Sequence, residues 1–97
     1  MRLVAIGTLR EFWRIHPDSK EQLQAWYKLL KSAAWKSPND VKRRFRSASI
    51  IGGNRVVFSI AGNKYRLIVK IHYNTGIVYV RFIGTHREYD AVSAEEV

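Results

Sequence analysis

The spacing of apolar residues changes character along the chain. In the first third, Leu23, Trp26, Tyr27 and Leu30 recur at intervals of three and four residues, which predicts an amphipathic helix. From residue 55 onward, apolar and polar residues alternate in short runs bounded by glycine and asparagine, as is typical of β-strands. Helices followed by a block of strands predict an α+β fold.

Two helices are predicted in the N-terminal third. Thr8-Leu9-Arg10-Glu11 has the spacing of a capping box, in which a hydroxyl accepts a backbone N–H and the glutamate reaches back to the cap. This helix should run from Leu9 to about His16, because the residue before Pro17 resists the helical conformation. Ser19-Lys20-Glu21-Gln22 is a second capping box, and its helix should end near Ala34. The two helices should form a hairpin with one apolar face.

The remainder of the chain predicts a small antiparallel sheet. The connections Ala61-Gly62-Asn63 and Asn74-Thr75-Gly76 are short and contain glycine, as β-hairpins require. We therefore expect a meander with the helical hairpin packed on one face, and residues 1–6 could add an edge strand. Between the helical hairpin and the meander, Ser37–Asp40 is expected to be a loop and Val41–Phe45 a single helical turn. The predicted strands are Arg55–Ile60, Lys64–Tyr73 and Ile77–Ile83.

Alternation along the strands separates an apolar face from a basic one. The apolar face should meet the helices, so Arg66, Lys70 and Arg81 are expected to converge on the open face. His86 and Tyr89 follow the third strand and could fold over the rim of that face. The expected inward set is Tyr65, Leu67, Val69, Ile71, Tyr73, Val78, Val80 and Phe82; the outward set is Lys64, Arg66, Ile68, Lys70, His72, Tyr79, Arg81, Ile83 and Thr85.

The net positive charge of the chain indicates which kinds of partner it could bind. The net charge is +9, from 17 Lys and Arg against 8 Asp and Glu, and the excess is concentrated between Lys36 and Arg87. Such an excess favours an anionic partner, with nucleic acid first, an acidic protein second and a membrane surface third. No apolar stretch approaches the length of about 18 residues that a transmembrane helix needs. We therefore expect no membrane association.

Length and cysteine content set further bounds. The 97 residues are expected to form a single domain over residues 1–97. The absence of cysteine excludes disulfides and thiolate metal sites. The apolar run Met1–Ile6 is too short for a signal peptide, so a cytoplasmic location is expected. Histidines and carboxylates are too scattered to predict a metal site, and no nucleotide-cofactor motif is present. We expect no metal and no cofactor.

Cleavage of RNA suits this set of side chains. The 2′-OH of RNA is a built-in nucleophile, so the protein must position the backbone, neutralise the transition state and move two protons. Arginines match phosphate oxygens, and histidine, lysine or tyrosine can transfer protons. Arg66, Lys70, Arg81, His86 and Tyr89 supply these groups. The same basic face is also consistent with a solvated surface, or with RNA binding without cleavage.

The segment GNKYRLIVKIHYNTGIVYVRFIGTHREYD, residues 62–90, resembles the HigB-type toxins of the RelE/ParE superfamily. The helical hairpin and WKSPNDVKRRF at residues 35–45 share the likeness more weakly. The resemblance implies a RelE-like fold, with two helices on one face of a small curved antiparallel sheet, and mRNA cleavage on the ribosome. It also implies inhibition by a HigA-type antitoxin with a helix-turn-helix domain, whose complex with the toxin binds operator DNA.

Roles for individual residues follow from the resemblance. It implies that Arg66 and Arg81 bind the phosphate and the transition state, and that Lys70 neutralises charge or acts as a base. His86 and Tyr89 are the proton-transfer candidates, although Tyr89 could equally hold the C-terminal segment in place. Further basic residues expected to contact RNA are Lys42, Arg43, Arg44, Arg55 and Lys64.

Two other functions remain open from the sequence. One is a non-enzymatic inhibitor of DNA gyrase, as in the ParE branch of the superfamily, and the other is an RNA- or ribosome-binding module without catalysis. The position of the antitoxin is open as well. An acidic segment could cover the basic face, or the antitoxin could dock on exposed aromatic residues such as Trp13 or Trp35.

Overall fold

The computed structural model describes residues 1–97, which form four helices and a five-stranded sheet. The strands lie in the order β1-β5-β4-β3-β2, and all neighbours are antiparallel except β1 and β5, which are parallel. The α+β class, the central meander and the N-terminal edge strand are confirmed. The elements are β1 Arg2–Val4, α1 Ile6–Ile15, a 3-10 turn Pro17–Ser19, α2 Lys20–Ser32, α3 Pro38–Arg44, β2 Ser49–Ile51, β3 Arg55–Ile60, β4 Tyr65–His72, β5 Ile77–Thr85 and α4 His86–Asp90.

The main core lies between the helical hairpin and one face of the sheet, as predicted. Leu9, Leu23 and Leu30 of α1 and α2 are fully buried there. Trp26 packs edge-to-face on Phe58 of β3, with ring centroids 5.4 Å apart. The inward set predicted for β4 is confirmed, since Tyr65, Leu67, Val69 and Ile71 are buried and Tyr73 packs against the same core.

Both capping boxes predicted in the helical half are wrong. Helix α1 begins at Ile6, so Thr8 lies inside its first turn, and Glu11 accepts hydrogen bonds from Arg14 instead of reaching back. Ser19 has a helical backbone and donates its hydroxyl to the oxygen of His16, at 2.7 Å, because it closes the 3-10 turn before α2. The Glu11 carboxylate is thus bonded to Arg14, and the Ser19 hydroxyl to His16, so neither group is available for a capping box.

A capping box does occur, but at the other end of the chain. The Thr85 hydroxyl accepts the Glu88 backbone N–H at 3.1 Å, and the Glu88 carboxylate accepts the Thr85 N–H at 2.8 Å. This box starts α4, which was not predicted from the sequence. Strand β2 was also missed, and α3 is longer than the single turn expected because Pro38 starts it.

A β-bulge in β5 changes which side chains share a face. Val80 lies opposite Val69 and Phe82 lies opposite Ile68, so Arg81 between them has no partner. The extra residue shifts the alternation by one position. Val78 and Val80 face the core as predicted, but the assignments of the next two apolar residues are wrong: Ile83 packs on the core and Phe82 turns outward with Ile68.

Two surface features bear on partners. Trp35 is buried and packs edge-to-face on Phe45, so the expectation that it is an exposed docking residue is wrong. Trp13 is half-buried on α1 and remains accessible. The longest helix has 13 residues, and no helix has the length and apolar character needed to cross a membrane.

Candidate functional site

The sheet face opposite the helical hairpin, here called the outer face, carries most of the predicted site residues. Strand pairing sets Arg66 beside Ser59, and it sets Lys70 between Arg55 and Tyr79. Arg66 and Lys70 are four residues apart on one strand, so about 13 Å of sheet separates them. Arg81 lies in the bulge of β5, between these two levels. Arg55 joins the outer face from β3, beside Lys70.

Arg66 is held in place at one end of the outer face. Its Nη1 donates to the Ser59 hydroxyl at 3.0 Å and to the Asn63 side-chain oxygen at 3.1 Å. The ring of Tyr89 lies 5.7 Å from the guanidinium carbon, within the range of a cation–π contact. These contacts use one nitrogen and one face of the guanidinium, so the remaining N–H groups can bind an anion. Ser59 and Asn63 were not predicted as site residues. Pairing of the two predicted strands across their short connection places Ser59 opposite Arg66, and this pairing could have identified Ser59 from the sequence.

Helix α4 brings His86 and Tyr89 to the same end. The Thr85 cap orients this short helix, and the bonds from the backbone N–H and hydroxyl of Thr85 hold the pKa of Glu88 below its usual range. His86 Nδ1 lies 3.1 Å from Asp90 Oδ2, one helical turn away, and Nε2 makes no hydrogen bond. The His86 and Tyr89 rings are 6.3 Å apart. Asp90 thus orients an exposed imidazole, a role that sequence reasoning missed.

The other end of the outer face is a cluster of three cations. Lys70 is half-buried between its neighbours on β3 and β5. Arg55 Nε and Arg81 Nε both donate to the backbone oxygen of Val97, at 2.9 and 3.2 Å. Arg81 thus shares a partner with Arg55, and no hydrogen bond links it to the groups around Arg66. The structure does not collect the five predicted catalytic residues around one point.

Lys64 is not on the outer face with the other cations. Its ammonium pairs with the Asp18 carboxylate beside the helices, and Tyr65 donates its hydroxyl to the same carboxylate at 2.6 Å. The hydrogen bond from Lys64, followed by that from Tyr65, lowers the pKa of Asp18, and the bond to Asp18 raises the pKa of Lys64. This arrangement ties β4 to the turn before α2.

The three cations predicted on α3 lie at the β2 edge of the sheet. Lys42 donates to the backbone oxygens of Arg46 and Ala48, at 2.7 and 2.5 Å, and so closes the loop after α3. Arg43 is largely exposed and lies 3.5 Å from Asp40. Arg44 lies over the ring of Phe45, 5.7 Å from its centroid. These residues lie outside the outer face, and Lys42 already uses its ammonium in holding the backbone.

The outer face offers chemistry based on cations and one oriented imidazole. No group of three or more His, Cys, Asp or Glu side chains is placed to hold a metal ion. Arg66 and Arg81 can bind phosphate oxygens, Lys70 adds charge on the far side of Arg81 from Arg66, and His86 can accept or donate a proton at Nε2. These are the requirements for positioning a phosphodiester and cleaving it by proton transfer.

The chain is similar to members of one known protein family over most of its length. The model of the HigB_toxin family, described as the RelE-like toxic component of a toxin-antitoxin system, matches residues 19–92. The chain is 26% identical over 96 residues to the mRNA interferase toxin HigB of Escherichia coli K12. It is similar to the same extent to proteins named mRNA interferase HigB from Escherichia coli O157:H7 and Shigella flexneri. Each match covers 97% of this chain and 92% of the relative.

Proposed function

The chain belongs to the HigB family of RelE-like toxins, and from this premise we propose that it is an endoribonuclease that cleaves mRNA on the ribosome. The name shared by its relatives, mRNA interferase, supports the reaction. The observation that carries the proposal is the fixed Arg66 guanidinium beside α4, with its hydrogen bonds to Ser59 and Asn63 and the ring of Tyr89 over it. A group held in this way costs little further ordering when it binds a transition state.

The proposed reaction uses the 2′-OH of RNA as the nucleophile and requires no metal. The 2′-oxygen attacks phosphorus, the bond to the 5′-oxygen breaks, and the products are a 2′,3′-cyclic phosphate and a 5′-OH. Arg66 binds the non-bridging oxygens of the cleaved phosphate, whose charge grows in the transition state, and Arg81 binds the RNA backbone beside it. Lys70 adds positive charge to the same face.

His86 is the residue we propose for proton transfer: its Nε2 exchanges one proton, either from the 2′-OH or to the departing 5′-oxygen, and Tyr89 or water exchanges the other. Asp90 binds Nδ1, which fixes the ring and leaves Nε2 available to the substrate. Tyr89 stacks on Arg66, so we assign it a positioning role first and proton transfer second. For RNA binding beyond the cleaved phosphate, Arg55 is the strongest of the predicted cations because it lies on the outer face.

A toxin of a toxin–antitoxin system has an antitoxin partner, and we propose a HigA-type protein with a helix-turn-helix domain whose complex binds operator DNA. The cytoplasm is the proposed location of both. Two surfaces support antitoxin docking: the basic outer face, and the shallow pocket on the helical hairpin lined by Trp13, Arg10 and Tyr27.

The test is cleavage of a defined mRNA on programmed ribosomes, with 5′ ends mapped, beside the same RNA without ribosomes. We expect cuts only where ribosomes are present, and their 5′-OH ends should identify attack by the 2′-OH. Absence of cuts in every sample would overturn the proposal. RNA binding without cleavage would then favour a binding module, and gyrase inhibition would favour the ParE-like function.

A further inference from the structure

One contact on the outer face plays no part in the proposed reaction. Arg55 on β3 and Arg81 on β5 donate to a single oxygen, the backbone oxygen of Val97, at 2.9 and 3.2 Å. The two strands flank β4, so this oxygen bridges cations from either side of the central strand. Two guanidinium groups that converge on one oxygen form an anion-binding site.

Residues 91–97, which carry this oxygen, are here called the tail. None of the seven residues is buried. The backbone amides of Glu96 and Val97 donate to the oxygen of Ser93, so this hydrogen bonding stays within the tail. An open cleft lined in part by Ile51 and Val92 lies between the tail and β2. Few buried contacts are the property of segments that open at low free-energy cost.

The charge of the tail matches that of the ligand expected on this face. The tail contains Glu95 and Glu96 and no lysine or arginine. Glu95 and Glu96 are exposed. An acidic segment lying on two arginines competes with a phosphodiester chain for the same charges.

We propose that Arg55 and Arg81 bind one phosphate of the RNA backbone, and that in the free protein the tail occupies this site and must leave before RNA binds. The Val97 oxygen stands where a non-bridging phosphate oxygen would lie. This inference rests on the proposed function, because it concerns the entry of RNA onto the same face. The apparent affinity for RNA is then lowered in proportion to the fraction of molecules with the tail in place.

The test compares the full chain with a variant that lacks residues 93–97. The probe is a short fluorescein-labelled RNA with 2′-O-methyl groups, which cannot be cleaved, and binding is followed by anisotropy. If the tail occupies the site in two-thirds to nine-tenths of molecules, its removal tightens Kd by roughly threefold to tenfold. An unchanged or weaker affinity overturns the proposal.

Matched variants separate occupation of the site from loss of acidic charge. In an Arg81→Gln background the deletion should give no gain, whereas in an Arg44→Gln background, where the lost cation does not touch the tail, the gain should persist. Glu95→Gln with Glu96→Gln removes the charges and keeps the backbone oxygen, so it should recover only part of the gain. A full gain from the two glutamines, or a gain that survives Arg81→Gln, contradicts the proposal.

A second measurement needs no variant and guards against misfolding of the truncated chain. In NMR spectra of the full chain, the amide signals of residues 93–97 should move toward unstructured positions as the RNA is added. Signals that keep their positions at saturation overturn the inference. Cleavage on ribosomes without any tail effect refutes only the inference, and tail displacement without cleavage refutes only the proposed function.

Discussion

At the scale of single residues, the cations differ in how firmly they are held. Arg66 has two side-chain hydrogen bonds and an aromatic ring against it, whereas the Arg43 side chain is 79% exposed and meets only Asp40. An exposed ion pair of this kind contributes little to stability or binding. A pre-positioned guanidinium contributes far more to a transition state that carries extra negative charge. We therefore expect an arginine that is held in place by the fold to contribute more to mRNA cleavage than an exposed arginine of the same charge.

Arg66→Ala should lower the rate of ribosome-dependent mRNA cleavage by roughly 100-fold or more, because it removes a positioned partner of the developing charge. Arg43→Ala removes the same unit of charge from α3 and should change the rate by less than about threefold. Single-turnover cleavage on programmed ribosomes measures both. Equal losses would show that net charge, and not the held guanidinium, drives the reaction.

The Asp18 carboxylate links the 3-10 turn to β4 and makes stability depend on pH. Hydrogen bonds from Lys64 and then Tyr65 lower its pKa in the folded chain. A carboxyl whose pKa is depressed by folding adds stability above its unfolded value of about 3.9, and this is lost as pH falls through the folded pKa. The link between β4 and the turn before α2 should therefore weaken in acid.

Asp18→Asn should lower the Tm at pH 7, and the gap from the unmodified chain should narrow as pH falls below about 4, because the unfolded carboxyl then takes up a proton more readily than the native one, whose pKa is lower. Thermal unfolding followed by circular dichroism from neutral to acidic pH measures the gap. A gap that stays constant throughout would mean that the contribution of Asp18 does not arise from its charge.

At the scale of elements, α4 is a five-residue helix that depends on its cap and on the sheet. A helix this short is not stable alone in water. The capping box between Thr85 and Glu88 satisfies its first N–H groups, and packing against β4 and β5 provides the rest. Because α4 carries His86 and Tyr89, loss of the cap should disturb the candidate site before the whole fold.

Thr85→Val keeps the shape of the side chain and removes the cap, which should destabilise α4 by about 1 kcal/mol. We expect faster hydrogen exchange at the Glu88 and Tyr89 amides and slower mRNA cleavage, with a small change in Tm. Thr8→Val is the matched control, since Thr8 lies inside α1 and caps nothing. Equal effects of the two substitutions would contradict a capping role for Thr85.

At the scale of the whole molecule, the excess positive charge is unevenly shared between the two sides of the sheet. The outer face carries Arg55, Arg66, Lys70 and Arg81, and the acidic tail meets two of them. The helical side carries cations paired with carboxylates, such as Arg14 with Glu11 and Lys64 with Asp18. RNA binding should therefore follow the local charge of one face and not the net charge of +9.

RNA affinity should fall with salt at a log–log slope of about −2 to −3, as expected when three or four phosphates are neutralised on a single strand. Lys70→Gln should reduce the slope by about 0.7, because one phosphate contact is lost. Arg10→Gln removes the same charge from α1 and should leave the slope unchanged. Anisotropy titrations over a range of salt concentrations decide this, and equal changes for both variants would exclude a localised RNA surface.

Much of the fold was determined by local patterns in the sequence. Two-residue alternation and glycine-containing turns set β3, β4 and β5 to within two residues at each end, because strand faces and hairpins depend on near neighbours in the chain. The same alternation identified Arg66 and Lys70 as residues of one open face. Helical spacing identified the hairpin, although its caps were wrong because competing hydrogen bonds are not visible in a four-residue motif.

The tertiary structure alone decided the arrangements that depend on residues far apart in the chain. The bulge at Arg81 turned Phe82 outward and Ile83 inward, Asp18 drew Lys64 away from the other cations, and the Val97 oxygen brought Arg55 to Arg81. A bulge arises from register between two strands, and an ion pair arises from packing between a helix turn and a strand. Neither leaves a periodic signal in the sequence, so which cations meet around one substrate is a property of the folded sheet.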